Sequence, residues 1–100
     1  MVTAYAIQIK NKFYVVPANT KRFTRAIADK YINLPIFQEL LKAHPDKLTP
    51  DILYRDMIDA KRYFKLSYEY IPDEEQKPRY YVNSKSLIGY YTPETFIVII

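Results

Sequence analysis

The sequence predicts an α+β fold: an antiparallel sheet of about four to six strands, with about three helices from residues 20–66 packed on one face. Three observations lead there. Both ends of the chain alternate apolar and polar residues with period two, whereas the middle repeats with helical spacing between capping residues. The order strands, helices, strands argues against a parallel doubly wound sheet. Glycine occurs once, at Gly89, so the turns fall to Asn, Asp and seven Pro. A chain of 100 residues makes one domain, 1–100.

The elements follow in order. Residues 4–9 alternate, with Tyr5, Ile7 and Ile9 on one side and Ala6, Gln8 and Lys10 on the other. Phe13–Val16 is a second strand, joined to the first by a hairpin turn at Asn11-Lys12, since Asn tolerates positive φ. Pro17 ends it. Asn19 or Thr20 caps a helix over about 21–33, with Phe23, Ile27 and Tyr31 facing the core and Lys21 and Arg25 sharing another face. Pro35 opens a short amphipathic helix carrying Ile36, Phe37, Leu40 and Leu41 and ending near His44-Pro45. Thr49-Pro50-Asp51 is the sharpest local signal: N-cap, Pro at the first helical position, acid in the first turn. That helix runs to about Leu66, burying Leu53, Met57, Ala60 and Phe64.

Beyond it the period returns to two. Strands are expected at Leu66–Ile71, Tyr80–Val82, Leu87–Tyr91 and Phe96–Ile100, with loops at Pro72–Pro78, Asn83–Ser86 and Thr92–Glu94. The last strand is apolar throughout, which predicts a central position covered on both faces.

Composition narrows the function. There is no Cys, which excludes disulfides and thiolate metal sites. A single His, His44, cannot build a transition-metal site alone. One glycine excludes Gly-rich phosphate loops and dinucleotide fingerprints. A Ser-His-Asp set built on Ser67, Ser84 or Ser86 lacks a strained nucleophile turn. Asp56 and Asp59 lack further oxygen ligands, and Asp73-Glu74-Glu75 reads as a solvated loop. The expectation is no enzyme, no metal and no cofactor. The N-terminus lacks a signal-peptide pattern, and the longest apolar run, Phe96–Ile100, is far short of the ~20 residues that span a bilayer. A cytoplasmic protein without membrane partners is expected.

What stands out is charge. The formal net charge is +4, and the first thirty residues hold six basic side chains against one acid, Asp29. Lys10 and Lys12 fall at the hairpin tip, and Lys21, Arg22 and Arg25 on the first helix. Such clustering suits a phosphate backbone or an acidic protein surface; the plain alternative is a solvated basic face. Lys61, Arg62 and Lys65 form a second cluster, which also suits the negative end of a helix. Of the 11 Tyr, more than a small core can bury, Tyr68, Tyr70, Tyr80, Tyr81, Tyr90 and Tyr91 lie on the C-terminal strands. Adjacent pairs must split across the sheet, leaving rings such as Tyr81 as candidate partner anchors.

The opening Ala4-Tyr5-Ala6-Ile7-Gln8-Ile9-Lys10-Asn11-Lys12-Phe13-Tyr14-Val15-Val16 resembles the amphipathic hairpin that begins many small bacteriophage and mobile-element proteins. The likeness covers those thirteen residues. It implies a small accessory protein that binds and inhibits or redirects a host protein or nucleoprotein complex, such as host defence machinery. The basic charge departs from the acidic DNA mimics of that group. Direct binding of DNA or RNA by the basic hairpin and helix is the alternative. The expected binding residues are thus Lys10, Lys12, Lys21, Arg22, Arg25, Lys61, Arg62 and Tyr81.

Overall fold

The computed structural model describes residues 1–43, 50–59 and 63–99, apart from the side chains of Leu40, Leu41, Pro50 and Leu53. The elements are β1 (Val2–Ile9), β2 (Lys12–Pro17), α1 (Arg25–Ile32), α2 (Pro35–Ala43), α3 (Pro50–Asp59), β3 (Tyr63–Ile71), β4 (Arg79–Asn83), β5 (Ile88–Tyr91) and β6 (Phe96–Val98). The fold is α+β, as its pattern of periods requires. The chain divides into two compact units: Met1–Asn19 with Tyr63–Ile100, and Thr20–Arg62.

The first unit is a six-stranded sheet of order β5-β4-β3-β1-β2-β6. β1 and β2 form the expected hairpin, with Ile9 opposite Lys12 and Ala4 opposite Pro17. The turn falls one residue earlier than expected, at Lys10-Asn11, and Lys12 belongs to β2. Lys10 rather than an Asn takes the positive φ, at 56°. The strand alternation overrides the local preference. Placing Tyr5 and Val16 opposite each other fixes the register, and register fixes which residues turn.

β3 pairs antiparallel with the far side of β1, so Ala6 faces Phe64 and Val2 faces Tyr68. β4 and β5 continue as an antiparallel meander. On one face Ala4, Ala6, Phe13, Val15, Leu66, Tyr68, Val82 and Phe96 form a buried core, flanked by Phe64, Tyr80, Leu87, Tyr91 and Val98. Alanines on β1 leave room for rings from its neighbours, so the sheet curls over that face. Phe96 of β6 meets Tyr68 at 5.5 Å, Tyr80 at 5.1 Å and Tyr91 at 6.3 Å.

The curl corrects the expectation for the last strand. β6 is an edge strand, parallel to β2, with Phe13 opposite Phe96 and Val15 opposite Val98. The sheet is therefore mixed, not wholly antiparallel. A flat edge would expose these apolar residues; in a curled sheet the opposite margin covers them. The turn Thr92–Thr95 makes the corner, with the amides of Thr95 and Phe96 donating to the Thr92 carbonyl at 3.0 and 2.8 Å.

In the second unit α1 begins later than expected. Its N-cap is Thr24, whose hydroxyl accepts the Ile27 amide at 3.3 Å. Neither Asn19 nor Thr20 caps it; the Thr20 hydroxyl donates to the Arg22 carbonyl at 2.8 Å. Phe23 is buried ahead of the helix, where it stacks on Tyr31 at 6.1 Å and Tyr54 at 6.3 Å. The Gln38 side-chain amide donates to the Ile32 carbonyl at 2.7 Å, tying the end of α1 to α2. Tyr31 meets Phe37 edge-on at 6.4 Å. Ile27, Ala28, Ile32 and Met57 are also buried in this unit.

α3 starts at Pro50 and carries Asp51 in its first turn, as expected. It is described as far as Asp59 and does not run to Leu66, because Tyr63–Leu66 belong to β3. The residues Tyr63-Phe64-Lys65-Leu66 satisfy both periods at once. Pairing with the open side of β1 decides for strand. The expectations placed on His44, Thr49, Ala60, Lys61, Arg62, Ile100 and the side chains of Leu40, Leu41 and Leu53 lie outside the described residues.

Candidate functional site

Three surfaces carry the chemistry. The first is the tip of the β1–β2 hairpin. Lys10 and Lys12 are exposed, with Asn11 between them. The Gln8 side-chain amide reaches the Lys10 carbonyl at 3.4 Å. Neither lysine has an ion-pair partner among the described residues. Lys10 holds a left-handed conformation that an L side chain adopts at a cost of about 1–2 kcal/mol.

The second lies in the helical unit. Lys21 and Arg22 are exposed in a bend ahead of α1, not on the helix, because the cap moved to Thr24. The shared helix face expected for Lys21 and Arg25 does not form. Arg25 is the first residue of α1, and its guanidinium pairs with the Asp51 carboxylate and lies 5.7 Å from the Tyr54 ring centre. It holds α1 against the start of α3 and spends its charge there. Lys21 and Arg22 have no such partner among the described residues.

The third is the outer face of β3, β4 and β5. Alternation splits the tyrosines as expected. Tyr80 and Tyr91 turn to the core, and Tyr81 and Tyr90 turn outward, opposite each other with centroids 5.2 Å apart. Tyr90 is 62% and Ile88 65% exposed. Arg79 lies 5.2 Å from the Tyr90 ring centre and donates to Asp73 Oδ2 at 3.0 Å. Asp73 Oδ1 accepts from the amides of Glu75 and Gln76, so the acidic loop is built, not merely solvated. The Arg79 hydrogen bond, helped by those amides, holds the Asp73 carboxyl below the usual carboxylate range. On the core side, burial pushes the Tyr68 and Tyr80 hydroxyls up; Tyr80 adds to the effect on Tyr68, and Tyr70 to that on Tyr80.

At the end of this face an open cleft of about 530 Å³ lies between β3 and the β4–β5 turn. Lys65 and Ser67 line it from one side and Asn83, Ser84, Lys85 and Ser86 from the other, with no carboxylate. Sequence reasoning missed it. The helical spacing places Lys65 at the end of a helix, and Lys85 sits alone among serines. A strand running back to Tyr63 was the signal that would have exposed Lys65 beside the turn. The Ser84 hydroxyl is engaged within the turn, accepting from Leu87 and Ser86 amides and donating to the Leu87 carbonyl. No group of His, Asp or Glu suited to a metal occurs among the described residues. No helix is long and apolar enough to cross a membrane, among the described residues. Lys61 and Arg62 are outside that set.

Compared with family models, curated proteins and solved structures, the chain matches none.

Proposed function

We propose that the chain is a small non-catalytic binding protein that docks on a carboxylate-rich face of a host protein, free or within a nucleoprotein complex, and inhibits or redirects it in the host cytoplasm. The observation that carries this is the hairpin tip: Lys10 and Lys12 exposed, unpaired among the described residues, with Lys10 in a backbone conformation that glycine would adopt more cheaply. Keeping a lysine there sets charge at the tip against stability. Exposed Lys21 and Arg22 give the helical unit a cationic surface of its own. The likeness of the opening hairpin to small bacteriophage proteins agrees with such a role.

The test is capture of a partner from a bacterial lysate with and without nuclease, comparing the natural chain with Lys10→Glu/Lys12→Glu. The expected result is a protein captured equally after nuclease and lost by the variant, whose melting temperature is unchanged. Capture unaffected by the charge reversal would overturn the role of the tip. Capture abolished by nuclease would replace this reading with direct nucleic-acid binding, marked by a log–log salt slope of about −0.9 per duplex phosphate.

A further inference from the structure

We infer that the cleft between β3 and the β4–β5 turn, together with the Tyr81–Tyr90 pair beside it, binds a nucleoside phosphate, with the phosphate between Lys65 and Lys85 and the base against the rings. Strand register creates the cleft. β4 stops pairing with β3 at Ser67 and Asn83, while β3 stays paired with β1 back to Tyr63. Lys65 therefore lies on a stretch with no strand on its β4 side among the described residues, and the turn brings Lys85 to the same opening. Two cations line one cleft with no carboxylate there and no ion-pair partner among the described residues. Ser67, Ser86 and Asn83 add neutral donors. That set fits a tetrahedral oxyanion, which lysine ammoniums and hydroxyl donors stabilise together.

The rings select the rest of the ligand. Tyr81 lies two residues along β4 from Asn83, on the same outer face, and Tyr90 lies across from it. Two strand residues span roughly 7 Å, within the reach of a sugar between phosphate and base. Arg79 steadies Tyr90 from one side and leaves it 62% exposed. Every base has a π face to lay on such a ring. Glu69 stands opposite Tyr81, so it repels a phosphate from the ring end and fixes the polarity. A phosphoserine peptide would use the lysines and leave the rings idle. A free mononucleotide and a stretch of single strand share the chemistry inferred here. Because the docking reading uses Lys10 and Lys12 instead, the two stand or fall separately.

The experiment is amide NMR of the full chain titrated with adenosine monophosphate, inorganic phosphate, phosphoserine and oligothymidylate. Adenosine monophosphate should shift amides around Lys65 and Lys85 and also around Tyr81 and Tyr90, and bind more tightly than phosphate or phosphoserine. Tyr90→Leu should cost roughly tenfold with adenosine monophosphate, the scale of one base–ring stack, and nothing with inorganic phosphate. Lys65→Gln/Lys85→Gln should weaken all phosphates, and the Lys→Arg pair should restore them. Tighter binding of oligothymidylate than of the monophosphate identifies a single strand as the source, and equal binding identifies the free nucleotide. Absent shifts with adenosine monophosphate would overturn the inference. So would phosphoserine binding as tightly as the nucleotide, or a Tyr90→Leu variant that binds the nucleotide unchanged.

Discussion

The rings of Tyr91 and Phe96 stack with centroids 6.3 Å apart and planes 29° apart, although β5 and β6 are the two outermost strands of the sheet. Only a sheet curled over its own aromatic face brings its margins that close. Phe13 closes the group from β2, edge-on to Tyr91 at 5.5 Å. The edge strand β6 thereby supplies a fully buried side chain, Phe96, to the core.

Removing that side chain should be costly. Phe96→Ala is expected to destabilise the protein by about 3–5 kcal/mol in urea unfolding, the usual range for a buried ring. Ile88→Ala, on the open face of β5, should stay within about 0.5 kcal/mol. Deleting residues 96–100 should unfold the first unit, because Phe96 and the β2 pairing go with them. A soluble truncation that melts cooperatively would contradict the curled core.

The hairpin tip allows the opposite sign. Lys10→Gly should raise stability by about 1 kcal/mol, since glycine adopts the φ of 56° without a Cβ clash. Thermal melting checks the gain, and partner capture should weaken in the same variant. A protein at once more stable and less able to bind would separate the two roles of the residue.

Alkali should act through the core tyrosines. The Tyr68 and Tyr80 hydroxyls titrate above their ordinary 10.0 because burial opposes the phenolate. Their folded values are raised, so their contribution is complete below about pH 10 and drains away as pH rises through the folded values. Absorbance titration should show late-ionising tyrosines, and Tyr68→Phe should reduce the alkaline loss of stability.

Acid acts through Asp73. Its folded value is depressed, chiefly by the Arg79 hydrogen bond, so its contribution is present above the ordinary 3.8 and is lost as pH falls through the folded value. Carbon NMR of the carboxyl should show Asp73 titrating below the ordinary aspartate value of 3.8. Asp73→Asn should remove the feature and release Arg79, seen as a change at Tyr90.

The Arg25–Asp51 pair is exposed on both sides, 60% and 62%. A double-mutant cycle on the two residues should therefore give about 0.2–1 kcal/mol, screened by salt. Charge reversal for binding tests belongs at Lys21 and Arg22, since a glutamate at position 25 would face Asp51.

Much of this was legible in the residues. The hairpin, the meander and the helix starting at Pro50 follow from period, caps and turn formers acting locally. What failed shares one cause. Tyr63–Leu66 fits helix and strand alike, and only the open side of β1, some sixty positions away in sequence, decides. Phe96–Ile100 reads as central because local pattern carries no knowledge of curl. Thr24 wins the cap over Thr20 because Phe23 must reach Tyr31 and Tyr54. Among site residues, Tyr81 and the cationic tip were visible from alternation and charge. The Lys65–Lys85 cleft was not, because it exists only where two strands part.

The division of the sheet between the two ends of the chain has a consequence for biosynthesis. β1 and β2 leave the ribosome first, yet their neighbours β3 and β6 lie beyond the whole helical stretch. At translation rates of about 5–20 residues per second the nascent hairpin waits several seconds with its apolar faces unprotected. Production of this protein in a heterologous cell should therefore depend on chaperones and growth temperature more than its small size suggests.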